Sequence, residues 1–175
     1  MMRYFKWLIG YMVFISSCVF AQVNPEWPKV QSESYNKTLN LLLSGSVPYI
    51  KVADLKEGIS NYTILDTRAK SEFDISHIPG AIFVGPDLKL DDLAKFSTEK
   101  PIVVYCSVGY RSEKFGEQLI ENGFSNVSNL YGGIFEWVNE DNELSKLSGG
   151  GAKVIHTYNS AWGRFITNPN CTQVN

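Results

Sequence analysis

Cysteine and histidine are scarce in this chain of 175 residues. It contains three cysteines, Cys18, Cys106 and Cys171, and two histidines, His77 and His156. No Cys-x-x-Cys pair occurs and the histidines lie far apart, so the sequence predicts no metal site. Exported proteins that depend on disulfides carry more cysteines in shorter chains. A hydrophobic core must therefore hold the fold, and at least one thiol needs another explanation.

Clustered positive charge is also missing. The chain has 16 Lys and Arg against 18 Asp and Glu, and residues 1–21 hold two of the positive groups. Without that segment 14 positive groups face 18 negative ones, a net charge of −4. Nucleic-acid binding depends on clustered Lys and Arg that displace counterions. We therefore expect no nucleic-acid partner.

The apolar run near the start is too short to span a membrane. It covers residues 7–20, follows two basic residues and precedes Ala21, whereas a spanning helix needs about 20 apolar residues. This pattern is typical of a secretory signal peptide over residues 1–21, which predicts a periplasmic or secreted protein with no membrane span after processing. The alternative is a lipoprotein anchored at Cys18, because residues 15–18 resemble a bacterial lipoprotein box.

The rest of the chain alternates between strand and helix patterns. Apolar or alternating runs predict strands at residues 49–52, 62–65, 81–84, 101–105 and 127–130. Amphipathic spacing from Tyr35 to Leu43 predicts a helix that ends at Gly45, and further helices are predicted at residues 87–96 and 111–122. Residues 101–105 are apolar throughout, as in a central strand buried on both faces. The alternation predicts an α/β fold with a mostly parallel central sheet of about five strands and helices on both faces.

Proline and glycine divide the chain into segments. Residues 22–32 hold two prolines and are predicted to form an extended linker, and the domain itself is predicted at 33–148. A glycine-rich break then leads into a C-terminal tail, residues 149–175. The large aromatic residues of that tail are Tyr158, Trp162 and Phe165. Because exposed aromatic surface is costly, we expect the tail to pack against the domain.

Cys106 stands at the junction of a predicted strand and a predicted helix. A thiol at the start of a helix faces unpaired N–H groups and the positive end of the helix dipole, which together stabilise a thiolate. Gly109 permits the tight turn that points N–H groups inward as an anion cradle. Arg111 adds a fixed positive charge beside it. The pattern favours a nucleophilic Cys106 over an inert buried cysteine.

Three motifs resemble those of the rhodanese family. The first is the loop Cys106-Ser107-Val108-Gly109-Tyr110-Arg111. The second comprises Asp66-Thr67-Arg68, Glu72-Phe73 and His77-Ile78-Pro79-Gly80-Ala81, and the third is Leu130-Tyr131-Gly132-Gly133-Ile134 with Trp137. Their order and spacing extend the resemblance over about residues 47–140. Ser76 departs from the pattern, which usually has Gly there, and we expect this to alter a turn and not the chemistry.

The resemblance implies a rhodanese-like three-layer fold and a single-domain sulfurtransferase that needs no cofactor. Cys106 would be the catalytic nucleophile, taking sulfur from thiosulfate or a similar small anionic donor. A thiol, cyanide or another thiophilic acceptor would then remove the sulfur from the Cys106 persulfide. Loop N–H groups would stabilise that persulfide anion. The predicted substrate-binding residues are Ser107, Val108, Gly109, Tyr110 and Arg111, with Tyr110 at the lip of the pocket.

The remaining candidate residues are expected to have structural roles. Asp66 and Arg68 are expected to support the loop through hydrogen bonds. His77 is expected to form a turn, since sulfur transfer between soft anions needs little proton transfer. Trp137 and Trp162 are expected in the core or at a docking contact, and not stacked on a ligand.

Two other functions and the role of the last cysteine stay open. Cysteine phosphatases and arsenate reductases are the nearest rival enzymes, but the phosphatases place one residue more between Cys and Arg than the four found here. The alternative that is not an enzyme is a non-catalytic persulfide- or anion-binding module in envelope sulfide sensing or redox delivery. Cys171 would be a free thiol, a bridge to another molecule, or a disulfide partner and resolving thiol for Cys106.

Overall fold

A computed structural model describes residues 26–87, 96 and 100–175. The predicted signal peptide and Cys18 lie outside these residues, as does most of the helix predicted at 87–96. No helix in the described part of the chain is long and apolar enough to cross a membrane.

The central sheet is parallel. Its strands are β1 (Tyr49–Ile50), β2 (Thr63–Asp66), β3 (Ile82–Phe83), β4 (Ile102–Tyr105) and β5 (Val127–Leu130). Their order is β1-β5-β4-β2-β3, and each neighbouring pair is parallel. The predicted five-stranded parallel sheet is therefore confirmed. Asp66 and Tyr105 are partners in the β2–β4 register, so the residues that follow both strands reach the same edge, where ligands bind in such folds.

Helices and two small sheets complete the described structure. The helices are α1 (Glu33–Leu42), α2 (Val52–Glu57), α3 (Lys70–Ile75), α4 (Tyr110–Glu121), α5 (Gly133–Asn139) and α6 (Ser160–Gly163), with a 3-10 turn at Ile59–Asn61. Strand β6 (Leu144–Ser145) pairs antiparallel with β7 (Gly151–Ala152), and β8 (Val154–His156) pairs parallel with β9 (Thr172–Val174). The strand predicted to reach Val52 ends at Ile50, because Val52 begins α2.

Alternate residues of β4 enter two different hydrophobic clusters. Val103 and Tyr105 belong to the larger cluster, to which α1 and α5 contribute. Ile102 and Val104 belong to the smaller cluster, to which α4 contributes. Since successive side chains of a strand point to opposite faces of the sheet, the two clusters lie on opposite faces. The predicted three-layer arrangement, with helices on both faces of the sheet, is confirmed.

The predicted linker and the predicted tail both contribute buried residues to the larger hydrophobic cluster of the domain. Val30 is buried in it, and the Gln31 N–H donates to Glu136 Oε1 at 2.6 Å. At the other end Phe165 is buried and stacks on Tyr35 of α1, with ring centroids 4.7 Å apart. The tail therefore packs against the domain, as its aromatic residues predict. The boundaries at residues 32 and 148 stay predictions.

Candidate active site

Cys106 follows β4 directly, at the carboxyl edge of the sheet. Its side chain is buried, and its Sγ accepts a hydrogen bond from the Gly109 N–H at 3.2 Å. Gly109 has φ 112°, in the left-handed region that favours glycine, and caps the twelve-residue helix α4. The sulfur therefore lies at the amide end of a helix, whose dipole stabilises negative charge. This is the arrangement that the sequence predicts for Cys106 and Gly109.

The start of α5 fixes the carbonyl groups of the loop. The N–H groups of Ile134 and Phe135 donate to Cys106 O at 3.0 Å and to Ser107 O at 3.2 Å. Gly133 lies against these carbonyls, and a Cβ added there would come within 2.5 Å of Cys106 O. The motif at 130–137 thus holds the cysteine loop by its Cys106 and Ser107 carbonyl groups.

Arg111 is held by Glu72 of α3. Its Nη1 donates to Glu72 Oε2 at 2.9 Å and its Nη2 to Glu72 Oε1 at 3.0 Å. Ser107 joins the pair, since its Oγ accepts from Arg111 Nη2 at 3.0 Å and donates to Glu72 Oε1 at 3.1 Å. Burial raises the pKa of Glu72, but hydrogen bonds from Arg111 and from the Ala69 N–H lower it below its ordinary value overall. Glu72 is therefore ionised and compensates the charge of Arg111.

Arg111 also lines the same cavity as Cys106. Desolvation lowers the pKa of Arg111, but the hydrogen bonds to Glu72 and the charge of Cys106 raise it above its ordinary value. Its Cζ lies 5.0 Å from the ring centre of Tyr158. Arg111 thus braces Ser107 and Glu72 while it keeps a positive group near Cys106. Its assignment to substrate binding stays a prediction.

Asp66 and Arg68 form a fully buried ion pair behind the loop. Arg68 Nη2 lies 2.7 Å from Asp66 Oδ2 and also donates to Ser76 O at 2.7 Å. The Tyr105 hydroxyl donates to Asp66 Oδ2 at 2.6 Å. Since Tyr105 precedes Cys106, the pair reaches the loop through the end of β4. Asp66 and Arg68 would therefore support the cysteine loop indirectly, through Tyr105.

His77 and Ser76 have structural surroundings. The His77 ring stacks on Phe73, with centroids 4.0 Å apart, and its Nδ1 lies 3.1 Å from Phe73 O. Its backbone bridges to Ser145. Ser76 has φ −169°, an extended conformation that any residue adopts. The change from the usual Gly is accommodated without strain, and neither residue lines the cavity at Cys106.

Cys106 faces a cavity of about 350 Å³. The residues that line it are Leu42, Cys106, Ser107, Val108, Tyr110, Arg111, Tyr158 and Trp162. Every residue predicted for substrate binding lines this cavity except Gly109, which contributes its amide to the sulfur. Tyr110 is partly exposed at the rim, where the sequence predicts a lip.

Sequence reasoning gave no role at this site to Leu42, Glu72, Asn129 or Tyr158, and it placed Trp162 away from any ligand. Asn129 Nδ2 donates to Gly109 O at 2.8 Å and fixes the turn before α4. Glu72 stands where a helix-capping acid is common, a signal that predicts its bond to Ala69 N but not its pairing with Arg111. Trp162 is a docked residue, as expected, but it docks at the mouth of the Cys106 cavity. No sequence pattern connects the tail to that cavity.

Trp137 and Cys171 lie away from this cavity. Trp137 is buried, and its Nε1–H donates to Glu143 O at 2.8 Å. Cys106 and Cys171 are both free thiols. Cys171 lines a second cavity of about 210 Å³ that shares no lining residue with the first, and burial raises the pKa of its thiol. The geometry gives no support to a resolving role. Within the described residues, no group of three His, Cys, Asp or Glu is placed to hold a metal ion.

A parallel α/β sheet with a cysteine at a strand end, next to the amide end of a helix, defines the class of this domain. Within that class, the family model described as rhodanese-like domain matches residues 51–140. The chain belongs to the rhodanese-like domain family.

Curated relatives share this region. A tRNA uridine(34) hydroxylase from Staphylococcus haemolyticus is 40% identical over 96 residues. Its namesake from Streptococcus pyogenes is 38% identical over 97 residues. Each match covers 49% of this chain and 29% of the relative. The chain therefore matches less than a third of the length of these relatives.

Solved structures share the fold. A protein from Bacillus halodurans is 27% identical with a TM-score of 0.53, covering 67% of this chain and 87% of that one. The rhodanese-like domain of an Anabaena protein is 26% identical with a TM-score of 0.53, covering 57% and 80%. A thiosulfate sulfurtransferase from Pseudomonas aeruginosa is 24% identical with a TM-score of 0.50, covering 57% and 20%, a likeness of fold alone.

Proposed function

We propose that this protein is a sulfurtransferase that carries sulfane sulfur as a persulfide on Cys106. The observation that carries the proposal is the position of Sγ, which faces the cavity and accepts the Gly109 N–H at 3.2 Å. A sulfur anion at the amide end of α4 is stabilised by the helix dipole and by that donor. Arg111, which lines the same cavity, adds positive charge.

The proposed reaction has two displacement steps. The Cys106 thiolate attacks the outer sulfur of thiosulfate or a similar donor, and the donor S–S bond breaks. Its electron pair leaves with sulfite, and Cys106 holds the persulfide. Cyanide, a thiol or another thiophilic acceptor then attacks the outer sulfur, which restores the thiolate. The Gly109 amide lies in place to stabilise the anion in both steps, as an oxyanion hole does.

The reaction named for the curated relatives is not carried over to this chain. The match reaches only 29% of those hydroxylases. The net negative charge of residues 22–175 also disfavours a nucleic-acid substrate. The second candidate remains a non-catalytic persulfide carrier, since a sulfur held at the same amide would need no turnover.

A thiocyanate assay separates the enzyme from the carrier. Purified protein with thiosulfate and cyanide should form thiocyanate continuously, and Cys106→Ser should form none above background. The matched control is Cys171→Ser, which removes the other thiol of residues 22–175 and should keep full activity. A single equivalent of sulfur transferred, with no further turnover, would indicate the carrier instead.

We further propose that the protein acts outside the cytoplasm after removal of residues 1–21, as a periplasmic or secreted protein. The support is the positive start, the short apolar run and the small residue Ala21. N-terminal sequencing of envelope material should then begin at Gln22. A lipidated Cys18 would indicate the lipoprotein route, and cytoplasmic protein that retains Met1 would contradict both.

A further inference from the structure

The cavity at Cys106 has walls that lie outside the region of the family match. Residues 51–140 supply its floor, whereas Leu42 comes from α1 and Tyr158 and Trp162 come from the tail. With Tyr110, three aromatic side chains surround the opening. These added walls make the space next to the sulfur largely apolar, which is unsuited to a small, strongly hydrated anion.

Trp162 is held in this wall by the tail itself. The backbone N–H of Trp162 donates to Asn159 Oδ1 at 3.1 Å, and Asn159 thereby caps the start of α6. Its ring lies 5.8 Å from the ring of Phe165, which is buried in the larger cluster. The Phe165 carbonyl in turn accepts a hydrogen bond from Asn139 Nδ2 of α5 at 2.9 Å. These contacts within the tail and with α5 therefore hold Trp162 in the wall of the cavity.

Tyr158 reaches the cavity through a strained backbone. Its φ is 65°, in the left-handed region, which is uncommon and strained for a bulky residue. The residue is still 55% exposed, so burial in the core does not explain the conformation. It lies over the guanidinium of Arg111 at 5.0 Å. Strain of this kind is found at ligand-binding positions.

The charge at the cavity floor disfavours a dianion. Among the described residues that line the cavity, Arg111 alone is positive, and Glu72 compensates its charge through two hydrogen bonds. When Cys106 is ionised for attack, these three groups leave one net negative charge. A donor with two negative charges is therefore repelled more strongly than a donor with one.

We propose that this cavity takes an organic sulfane-sulfur donor, in which a flat apolar group carries the sulfur with a single negative charge, in preference to thiosulfate. The inference rests on the sulfurtransferase function proposed above, and Tyr158 and Trp162 are its specificity-determining residues. For an aryl thiosulfonate, the Cys106 thiolate attacks the outer sulfur and the S–S bond of the donor breaks. The aryl sulfinate leaves with the electron pair, and the Cys106 persulfide remains. The aryl group would lie between the two aromatic rings.

Two thiosulfonates of equal charge isolate the contribution of the walls. Benzenethiosulfonate and methanethiosulfonate both release a sulfinate, but only the first carries a ring. In the unmodified protein kcat/KM should be highest for benzenethiosulfonate and lowest for thiosulfate. Tyr158→Gly, which keeps the backbone conformation accessible, and Trp162→Ala should each lower the benzene-to-methane ratio by about tenfold, equivalent to about 1.4 kcal/mol of lost ring contact.

Leu41→Ala is the matched control, because Leu41 neighbours the lining residue Leu42 but is 71% exposed and outside the cavity. It should leave the ratio unchanged. Calorimetric titration of the unreactive Cys106→Ser variant with benzenethiosulfonate adds a readout without turnover, and Tyr158→Gly in that background should weaken binding. A ratio unaffected by both tail variants, with all donors active, would overturn this inference and leave the sulfurtransferase standing. Absence of sulfur on Cys106 with every donor would overturn both.

Discussion

Glu72 and Arg111 are the two residues on which the order of the cysteine loop most depends. Glu72 is 2% exposed and accepts from Arg111, Ser107 and the Ala69 amide. Arg111 is its only cationic hydrogen-bond partner among the described residues. A buried carboxylate that loses its partner is costly, because the desolvation of its charge is no longer offset.

Arg111→Ala should therefore affect both stability and rate. We expect a loss of about 1–3 kcal/mol in the free energy of unfolding, the cost of an unsatisfied buried polar group. Sulfur uptake should slow by roughly tenfold or more with every donor, because the cysteine loop loses its order in this variant. Adding Glu72→Gln to Arg111→Ala should recover part of the stability, which denaturant titration would measure. A loss of rate confined to thiosulfate would instead assign Arg111 to binding the dianionic donor.

Stability should depend on pH through Glu72. Its pKa is lowered from 4.5 in the folded protein, so its ionised form stabilises the fold fully above pH 4.5. That contribution is lost as the pH falls through the lowered pKa. Thermal unfolding of the unmodified protein and of Glu72→Gln, between pH 7 and pH 3, should give a difference in Tm that is large at pH 7 and shrinks below pH 4.5. A difference independent of pH would contradict this role.

Among the secondary-structure elements, the start of α5 matters most for the site. The N–H groups of Ile134 and Phe135 hold the carbonyls of Cys106 and Ser107, in the loop whose Gly109 N–H donates to the sulfur. Gly133 makes this approach possible, since any Cβ there would overlap Cys106 O. Gly133 in the motif at 130–137 is thus a packing requirement of the cysteine loop.

Gly133→Ala should displace the loop and lower both stability and persulfide formation. The matched control is Gly149→Ala, because Gly149 also has a positive φ, 82°, but nothing within 4 Å of the added Cβ. Both variants carry the backbone strain of a left-handed alanine, about 1–3 kcal/mol, and only Gly133→Ala adds the overlap. Thermal unfolding and thiocyanate assays should show the larger loss at Gly133. Equal losses in the two variants would mean that α5 does not position the loop.

Strands and long helices could be predicted from the sequence, whereas short helices could not. Strand β4 is apolar throughout, and α4 carries an amphipathic pattern over twelve residues. Helices α2, α3 and α5 span only six or seven residues, too few for a helical period to stand out from turn or strand patterns. The strand signal at Val52 failed for this reason.

The same limit applies to the candidate site. Cys106, Gly109 and Arg111 are close in sequence, so local patterns predict their grouping. Glu72 joins them across 39 residues, through a charge pair that depends on the strand order of the sheet. The tail residues Tyr158 and Trp162 reach the cavity only because Phe165 anchors the tail in the core, and no periodic pattern records that contact.

On the scale of the whole molecule, the tail belongs to the structure that stabilises the fold. Phe165 stacks on Tyr35 of α1 and lies in the larger hydrophobic cluster. The cluster therefore joins α1, the sheet, α5 and the tail. Phe165 therefore contributes both to the stability of the domain and to the position of the cavity walls that the tail supplies.

Phe165→Ala should lower the free energy of unfolding by about 3–5 kcal/mol, the usual cost of removing a buried aromatic ring. Leu147→Ala is the control, since Leu147 is also apolar but exposed, and it should change stability by no more than about 0.5 kcal/mol. Denaturant unfolding measures both. A truncation at Gly149 should be at least as destabilising as Phe165→Ala. An unchanged unfolding curve after truncation would contradict a docked tail.

The most direct measurement for the molecule as a whole is the mass of the protein before and after exposure to a sulfur donor. Incubation with thiosulfate or benzenethiosulfonate, without reductant, should add the mass of one sulfur atom, and peptide mapping should locate it on Cys106. Cyanide should remove it and release thiocyanate, and Cys106→Ser should gain no mass under the same conditions. A protein that acquires no sulfur, or acquires it equally in Cys106→Ser, would contradict the proposal that Cys106 carries sulfur as a persulfide.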